Sequence, residues 1–563
     1  MPSTWTDISA RKLEQRDDKI PAAWRLSADT LKPVNDSVLH VPRECGLLSS
    51  QELAITEAHD AVTLLDLLAR SQYSSEVVTR AFCKRAAIAQ QVSNCLTEIL
   101  FDDALVRARE LDAHLARTGK PIGPLHGLPI SLKDSFKIKG YDASVGVANL
   151  CFKPASENSV LVDLLLSLGA VLYCKTNVPQ SMMALDSHNN VFGRTLNPAN
   201  LKLTAGGSTG GEGALLALRG SCLGVGTDVG GSIRIPAACN GIFGIKPSHG
   251  RVPFAGQEGG HRPGLSKLMI EATAGPLSQS LRSCELFLRV VGDASFQTSD
   301  PDVLPQEWSR QASLGTSNRR LRIGIIRTDG HVAVLPPVGT LIDSVAVSLR
   351  AKTSDFDIVE VDATPILSRT NKTFNGIVSL DGANTWFDHF EATGEPLSPW
   401  LQGRLTRRKQ KSINEIWDSK GAILELQRKF LQLWTPADGA PLDALICPVM
   451  PHPVAPIDRW NTPNYTSAFN LLDLPAGVVP VRPCTLEDLA AELPSGSTAL
   501  NAWDQGNREL WTKVDKNVYL GSMLSVQVIT PRLRERQLVE VMKRVSEALR
   551  PVGQQQDSVR SRL

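Results

Sequence analysis

The chain has 563 residues, 42% hydrophobic and 21% charged, which is the composition of a folded protein able to bury a sizeable core. Its 60 basic residues against 58 acidic ones leave a net charge of +2, and no basic stripe is interleaved with aromatics, so a dedicated nucleic-acid binder is excluded. No uncharged apolar stretch reaches the ~18 residues of a membrane span. The 10 cysteines include no C-x-x-C and no zinc-ligand spacing, and their apolar settings, such as Ile446-Cys447-Pro448, read as buried reduced thiols.

The first residues, MPSTWTDISARKLEQRDDK, are polar and lack an apolar core segment, so no secretory leader is expected. Residues 1–50 read as an N-terminal arm or helical cap. Ser49-Ser50-Gln51-Glu52 is a capping box, and an apolar helical period follows from Leu53 to Leu68. Further helices are expected over Ser75–Gln90 and Asp103–Arg117. The character changes at Gly123. Pro129–Lys133 reads as a strand, Val160–Leu168 as a helix and Ala170–Lys175 as a strand, an alternation that predicts an α/β sheet. Residues 204–250 are glycine-rich. Gly259–Gly264 reads as a loop and 293–320 as a long polar connection. Leu321–Ile326 reads as a strand, 338–351 as a helix and 357–361 as a strand. Residues 405–434 read as a charged helix. Late strands are expected at Leu442–Val449, Gly477–Val481 and Ser525–Ile529, with a last helix over Pro531–Leu549. Length alone suggests three or four domains of ~150 residues, but large α/β enzymes override that prior. The expectation is one domain over 51–550 and a flexible tail over 551–563.

Two glycine-framed serines dominate the chemistry. Ala205-Gly206-Gly207-Ser208-Thr209-Gly210-Gly211-Glu212 is followed by Gly226-Thr227-Asp228-Val229-Gly230-Gly231-Ser232-Ile233-Arg234. Glycines beside a serine let a substrate approach the main chain. Successive N–H groups of Gly230, Gly231 and Ser232 could hold an oxyanion at ~3 Å. A P-loop is excluded because no lysine follows the glycines. Gly206-Gly207-Ser208-Thr209-Gly210 fits a nucleophile elbow, with Asp443 and His452 as available partners. That motif needs a strand before the serine, where Asn197–Thr204 reads as loop. Purely structural turns are the third alternative.

The pattern GGSTGGEGALLALRG…GVGTDVGGSIRIPA resembles the amidase signature family. Gly123-Pro124-Leu125-His126-Gly127-Leu128-Pro129-Ile130-Ser131-Leu132-Lys133-Asp134 resembles that family's lysine segment. Segments such as Arg194-Thr195-Leu196-Asn197-Pro198 and Lys246-Pro247-Ser248-His249-Gly250-Arg251 look most like fungal acetamidases, and fatty acid amide hydrolases resemble the chain more distantly. The resemblance spans about residues 50 to 550 and implies a mixed sheet surrounded by helices. It implies Ser232 as a nucleophile that forms an acyl-enzyme, Ser208 as a relay preceded by a cis peptide, and Lys133 as a base that starts neutral. It also implies that Met182, Ser208, Val229, Gly230, Gly231 and Ser232 meet a small-molecule amide. For Met182 and Met183, plain core packing is the alternative. Asp228 and Arg234 read as scaffold. Thr209 stands where the family usually has a second serine.

The expected reaction is hydrolysis of a carboxylic amide to acid and ammonia or amine, with no metal or organic cofactor. The rivals are a specialised amide hydrolase or acyl-transfer enzyme of a metabolite pathway, an inactive scaffold, and the amidase subunit of a tRNA amidotransferase. A cytoplasmic location is expected. Ser561-Arg562-Leu563 resembles the peroxisomal address S-K-L. A homodimer is left open.

Overall fold

A computed structural model describes residues 4–32, 36–260, 264–268, 270–294, 300–314, 319–378, 380–459 and 462–550. The tail that ends in Ser561-Arg562-Leu563 lies outside these residues, as do 261–263 of the loop expected after Gly259.

One sheet organises the chain. Its 11 strands are β1 (Leu96–Ile99), β2 (Pro129–Lys133), β3 (Val171–Thr176), β4 (Gly224–Asp228), β5 (Phe243–Lys246), β6 (Thr273–Ser278), β7 (Leu321–Ile325), β8 (Phe356–Glu360), β9 (Ala444–Pro448), β10 (Ala476–Pro483) and β11 (Met523–Ile529). They lie in the order β1-β3-β2-β4-β6-β5-β10-β11-β9-β7-β8. β3, β2 and β4 are parallel, as are β9, β7 and β8, while the strands between them pair antiparallel. This is a mixed sheet with helices packed around it, in agreement with the expected α/β class. β2 to β6 and β9 are almost wholly buried, so they read as short apolar or glycine-rich runs without alternation.

Several elements differ from the sequence expectation, each for a local reason. The helix expected over Leu53–Leu68 is two, Ser50–Glu57 and Ala61–Ala69, because Asp60 caps a new start by accepting from Thr63 N at 2.9 Å. The first of these does begin at the predicted box, with Ser49 and Glu52 bonded reciprocally. The 405–434 helix starts only at Ile413, where Ser412 and Glu415 form a capping box of their own. The N-terminal arm contains a helix, Trp5–Asp18, docked through charge. Lys12 is buried between Glu98 and Asp142, and Arg16 donates to the carbonyl of Leu96, the first residue of β1, at 3.2 Å.

Candidate active site

β2 delivers Lys133 at its C-terminal end, and its parallel neighbour β4 delivers Thr227 and Asp228. The turn carrying Ser208 leads into the Gly210–Ala217 helix beside them. Ser187 pins this turn from two sides, donating to the Gly206 carbonyl at 2.8 Å and accepting from Gly210 N at 3.0 Å. Gly207 must be glycine, since a Cβ there would sit 2.4 Å from the Ala184 carbonyl oxygen. The Gly207–Ser208 peptide is cis.

Lys133 has no solvent exposure, and its Nζ lies 2.7 Å from Ser208 Oγ and 2.8 Å from Thr227 Oγ1. Burial pushes the amine down to about 7 against the pull of Asp228 and Asp134, so a large neutral fraction exists at physiological pH. Asp134 is not its ion-pair partner. That carboxylate accepts from Thr97 Oγ1, Ser144 Oγ and Val145 N, and faces Lys175 at 3.7 Å.

Ser232 follows four residues after Asp228 in the loop that leaves β4. It is half-buried, and its hydroxyl has no hydrogen-bond partner among the described residues. Asp228 and Arg234 clamp this loop, as the scaffold expectation had it. Arg234 Nε and Nη2 each donate to Asp228 at 3.1 Å, and Arg234 also reaches Asn470 and Gln527. Burial alone would raise the Asp228 carboxyl, but Arg234, Lys246 and the Asn470 amide overcome it and hold it far below the usual range.

This clamp narrows the expected donor set. Gly231 N donates to Asp228 Oδ1 at 2.7 Å, so it is committed to the scaffold and is not one of three free donors. The N–H groups of Val229, Gly230 and Ser232 meet no acceptor among the described residues. Gly231 is fixed as glycine by its φ of +127° and by Thr466, whose Oγ1 would be 2.2 Å from a Cβ. Thr466 in turn donates to the Gly230 carbonyl at 2.7 Å and sets the loop's orientation.

The walls of this loop are apolar. The Phe374 ring lies against Gly230, and Val229 packs on the same hydrophobic cluster as Phe374. Met182 sits in a left-handed turn (φ 60°) and packs with Val145, Val147, Trp386 and Phe390. Glu212, on the helix after Ser208, is wholly buried and bonded by Ser131 at 2.7 Å and Thr176 at 3.1 Å. Burial pushes its carboxyl up to about 8, so it is mostly protonated at neutral pH.

Asp443 and His452, the elbow's other candidates, are engaged elsewhere. Asp443 pairs with Arg319, and His452 Nδ1 bonds the Pro453 carbonyl at 2.7 Å. Sequence reasoning missed Thr227, Asn470, Gln527 and Phe374. Only Thr227, one residue before Asp228 in a motif already singled out, was within reach of a sequence signal. The others are 236 or more residues from the Arg234 side chain they serve or lie beyond β8. Among the described residues, no three His, Cys, Asp or Glu side chains group as metal ligands.

A mixed sheet that joins a buried lysine to a serine on a glycine-framed turn, with a second such serine on the adjoining strand's loop, defines an amide hydrolase of the amidase signature class. The Amidase family model matches residues 77–539, and the chain belongs to that family. It is 36% identical over 568 residues to an acetamidase of Emericella nidulans, covering 98% of this chain and 99% of that one. A putative amidase of Schizosaccharomyces pombe, C550.07, is 36% identical over 553 residues, covering 97% and 99%. The structure resembles a fatty acid amide hydrolase with a TM-score of 0.86 at 28% identity, covering 97% and 95%. The chain is therefore a hydrolase of linear amide C–N bonds.

Proposed function

We propose that the chain hydrolyses a small carboxylic amide through Ser232, Ser208 and Lys133. Ser232 Oγ adds to the amide carbon while its proton passes to Ser208 and the Ser208 proton passes to neutral Lys133. The N–H groups of Gly230 and Ser232, with Val229 beside them, receive the developing oxyanion, a contribution of ~3–4 kcal/mol per donor in hydrolases. Gly231 shapes this cradle and gives its own N–H to Asp228. The proton then returns from Lys133 through Ser208 to the leaving nitrogen, so ammonia or an amine departs neutral. Water attacks the acyl-enzyme by the same relay and frees the acid. Met182 and Phe374 form walls for the acyl group.

The observation that carries this reading is the buried Lys133 Nζ held 2.7 Å from Ser208 Oγ. Whole-length identity to an acetamidase favours a short acyl group. The test is a panel of acyl amides from acetamide to long-chain and aromatic amides, run on wild type and on Ser208→Ala. A short-chain preference together with a large loss in Ser208→Ala supports the reading. Undiminished turnover in the variant contradicts it. Peroxisomal import through Ser561-Arg562-Leu563 is part of the proposal. A protein tagged at its N-terminus should form peroxisomal puncta that disappear when the last three residues are removed, and diffuse signal before removal counts against import.

A further inference from the structure

The turn that carries Met182 is held by a distant carboxylate. Ser181 and Met182 both lie in the left-handed region, with φ of 64° and 60°. Two successive non-glycine residues persist there only where their surroundings hold them. Backbone bonds supply part of the hold: Ser181 N donates to the Val145 carbonyl at 3.0 Å, and Met182 N to the Pro179 carbonyl at 2.9 Å. The rest comes through Gln180, which is wholly buried and committed at both ends of its amide. Gln180 Oε1 accepts from Ser398 N at 2.7 Å. Gln180 Nε2 donates to Glu395 Oε1 at 2.7 Å and to the Pro396 carbonyl at 3.0 Å.

Glu395 joins this turn to a second segment. Its other oxygen accepts from Ala148 N at 2.8 Å, and Asn190 Nδ2 reaches Oε1 at 3.3 Å. Burial pushes the carboxyl up to about 6, so at neutral pH it is mainly ionised and accepts from all three N–H groups. Val145 and Val147 lie on the Ala148 side of the joint and Met182 on the Gln180 side. Together with Trp386 and Phe390 of the Asn384–Thr393 helix they form one apolar cluster. Beyond Met182 the chain runs on to the Ser208 turn, where a Cβ on Gly207 would stand 2.4 Å from the Ala184 carbonyl oxygen. The segment is thus fixed at its Ala184 end, and slack at Gln180 falls on Met182 and Met183.

We propose that Glu395 is a positioning residue for acyl-chain length: by tying Gln180 to Ala148 it holds Met182 as a close stop against the acyl group. The inference rests on the proposed reading of Met182 as an acyl wall. The joint is directional, because a carboxylate must face an amide N–H. Exchanging the two groups keeps that match. The Ala148 and Ser398 N–H groups still meet an oxygen, and the Pro396 carbonyl retains Asn190 Nδ2, which donates to it at 2.7 Å.

The ratio of kcat/KM for hexanamide to that for acetamide tests this. Glu395→Ala should raise the ratio roughly tenfold, through a lower KM for the longer amide. Gln180→Glu, which sets two carboxylates face to face, should do the same. Glu395→Gln combined with Gln180→Glu should return the ratio toward wild type. General loosening of the fold would slow both amides together, leave the ratio unmoved and gain nothing from the exchange. Met182→Ala should raise the ratio as Glu395→Ala does, and the two together should add little, since both act on one wall. Where Glu395→Ala does not fold, Glu395→Gln alone is read in its place; it keeps the side chain's size and loses one of the two matched contacts. An unmoved ratio in the Glu395 and Gln180 variants, or a shift that the exchange does not reverse, overturns the proposal, and a shift in Met182→Ala then leaves the acyl wall standing. An unmoved ratio in Met182→Ala overturns the acyl wall and this inference with it.

Discussion

Lys133 carries two opposed demands. Burial makes it a usable base near pH 7, and the same burial costs stability. A buried lysine held neutral is activated by its surroundings, whereas an exposed one at ~10.4 would be protonated and inert. The specificity constant kcat/KM should therefore rise with pH through a group near 7 and level off above it. A pH–kcat/KM profile that stays flat from pH 5 to 9 would remove lysine as the base. For stability, the unfolded chain holds this proton up to about pH 10.5 and the folded chain releases it near 7. The unfolded state thus binds more protons between those values, and this group's contribution to stability rises with pH across that window. Lys133→Met should abolish turnover and yet stabilise the fold by ~1–2 kcal/mol at pH 7, as removing a strained functional group often does. A lower midpoint in urea for that variant would contradict the account. Thr227→Val, which deletes the second contact to Nζ, should cost roughly tenfold in kcat, the size of one lost hydrogen bond.

The loop between β4 and the Arg234–Asn240 helix is an element whose shape comes from one buried charge pair. Asp228 fixes Gly231 N, Ile233 N and the Arg234 guanidinium at once. Asp228→Asn leaves Arg234 buried without a counter-charge and should destabilise the protein by ~3–5 kcal/mol, with turnover lost as the loop relaxes. Denaturant titration beside single-turnover assays separates the two effects. Unchanged stability would mean that the loop does not depend on this pair. The two serine loops and the lysine strand were legible in the sequence because glycine and serine at fixed spacing are rare outside such a site. The Asp228 commitment of Gly231 N was not legible, since a list of adjacent N–H groups says nothing about which are already taken. Short strands such as β1 and β6 were missed for a related reason. Four to six residues without alternation carry no period to detect. Caps were read well where they opened a helix after a loop, at Ser49. The internal cap at Asp60 was hidden inside an apolar period that runs straight through it.

Across the whole molecule, long-range polar contacts join segments that the sequence keeps apart. The Trp5–Asp18 helix reaches Glu98 and Asp142 through Lys12, and Asp142 leads through its carbonyl to Lys175, which faces Asp134 beside the candidate base. Pairing across 130 residues leaves no trace in composition or spacing, so the segment read as an arm or helical cap without its docking partners. Lys12→Met should leave two buried carboxylates without their ion-pair partner and lower the melting temperature by roughly 3–4 °C. Thermal unfolding measured by circular dichroism checks this, and an unchanged midpoint would show the helix to be an appendage. The mechanism turns on Ser232, and not the elbow-like Ser208, being the nucleophile. A fluorophosphonate probe, which forms a covalent adduct with an activated serine, followed by peptide mapping addresses it most directly. One adduct is expected, on Ser232, lost in Ser232→Ala and strongly reduced in Lys133→Met. Labelling of Ser208, or a Ser232→Ala variant that keeps more than a trace of amide turnover, would contradict it.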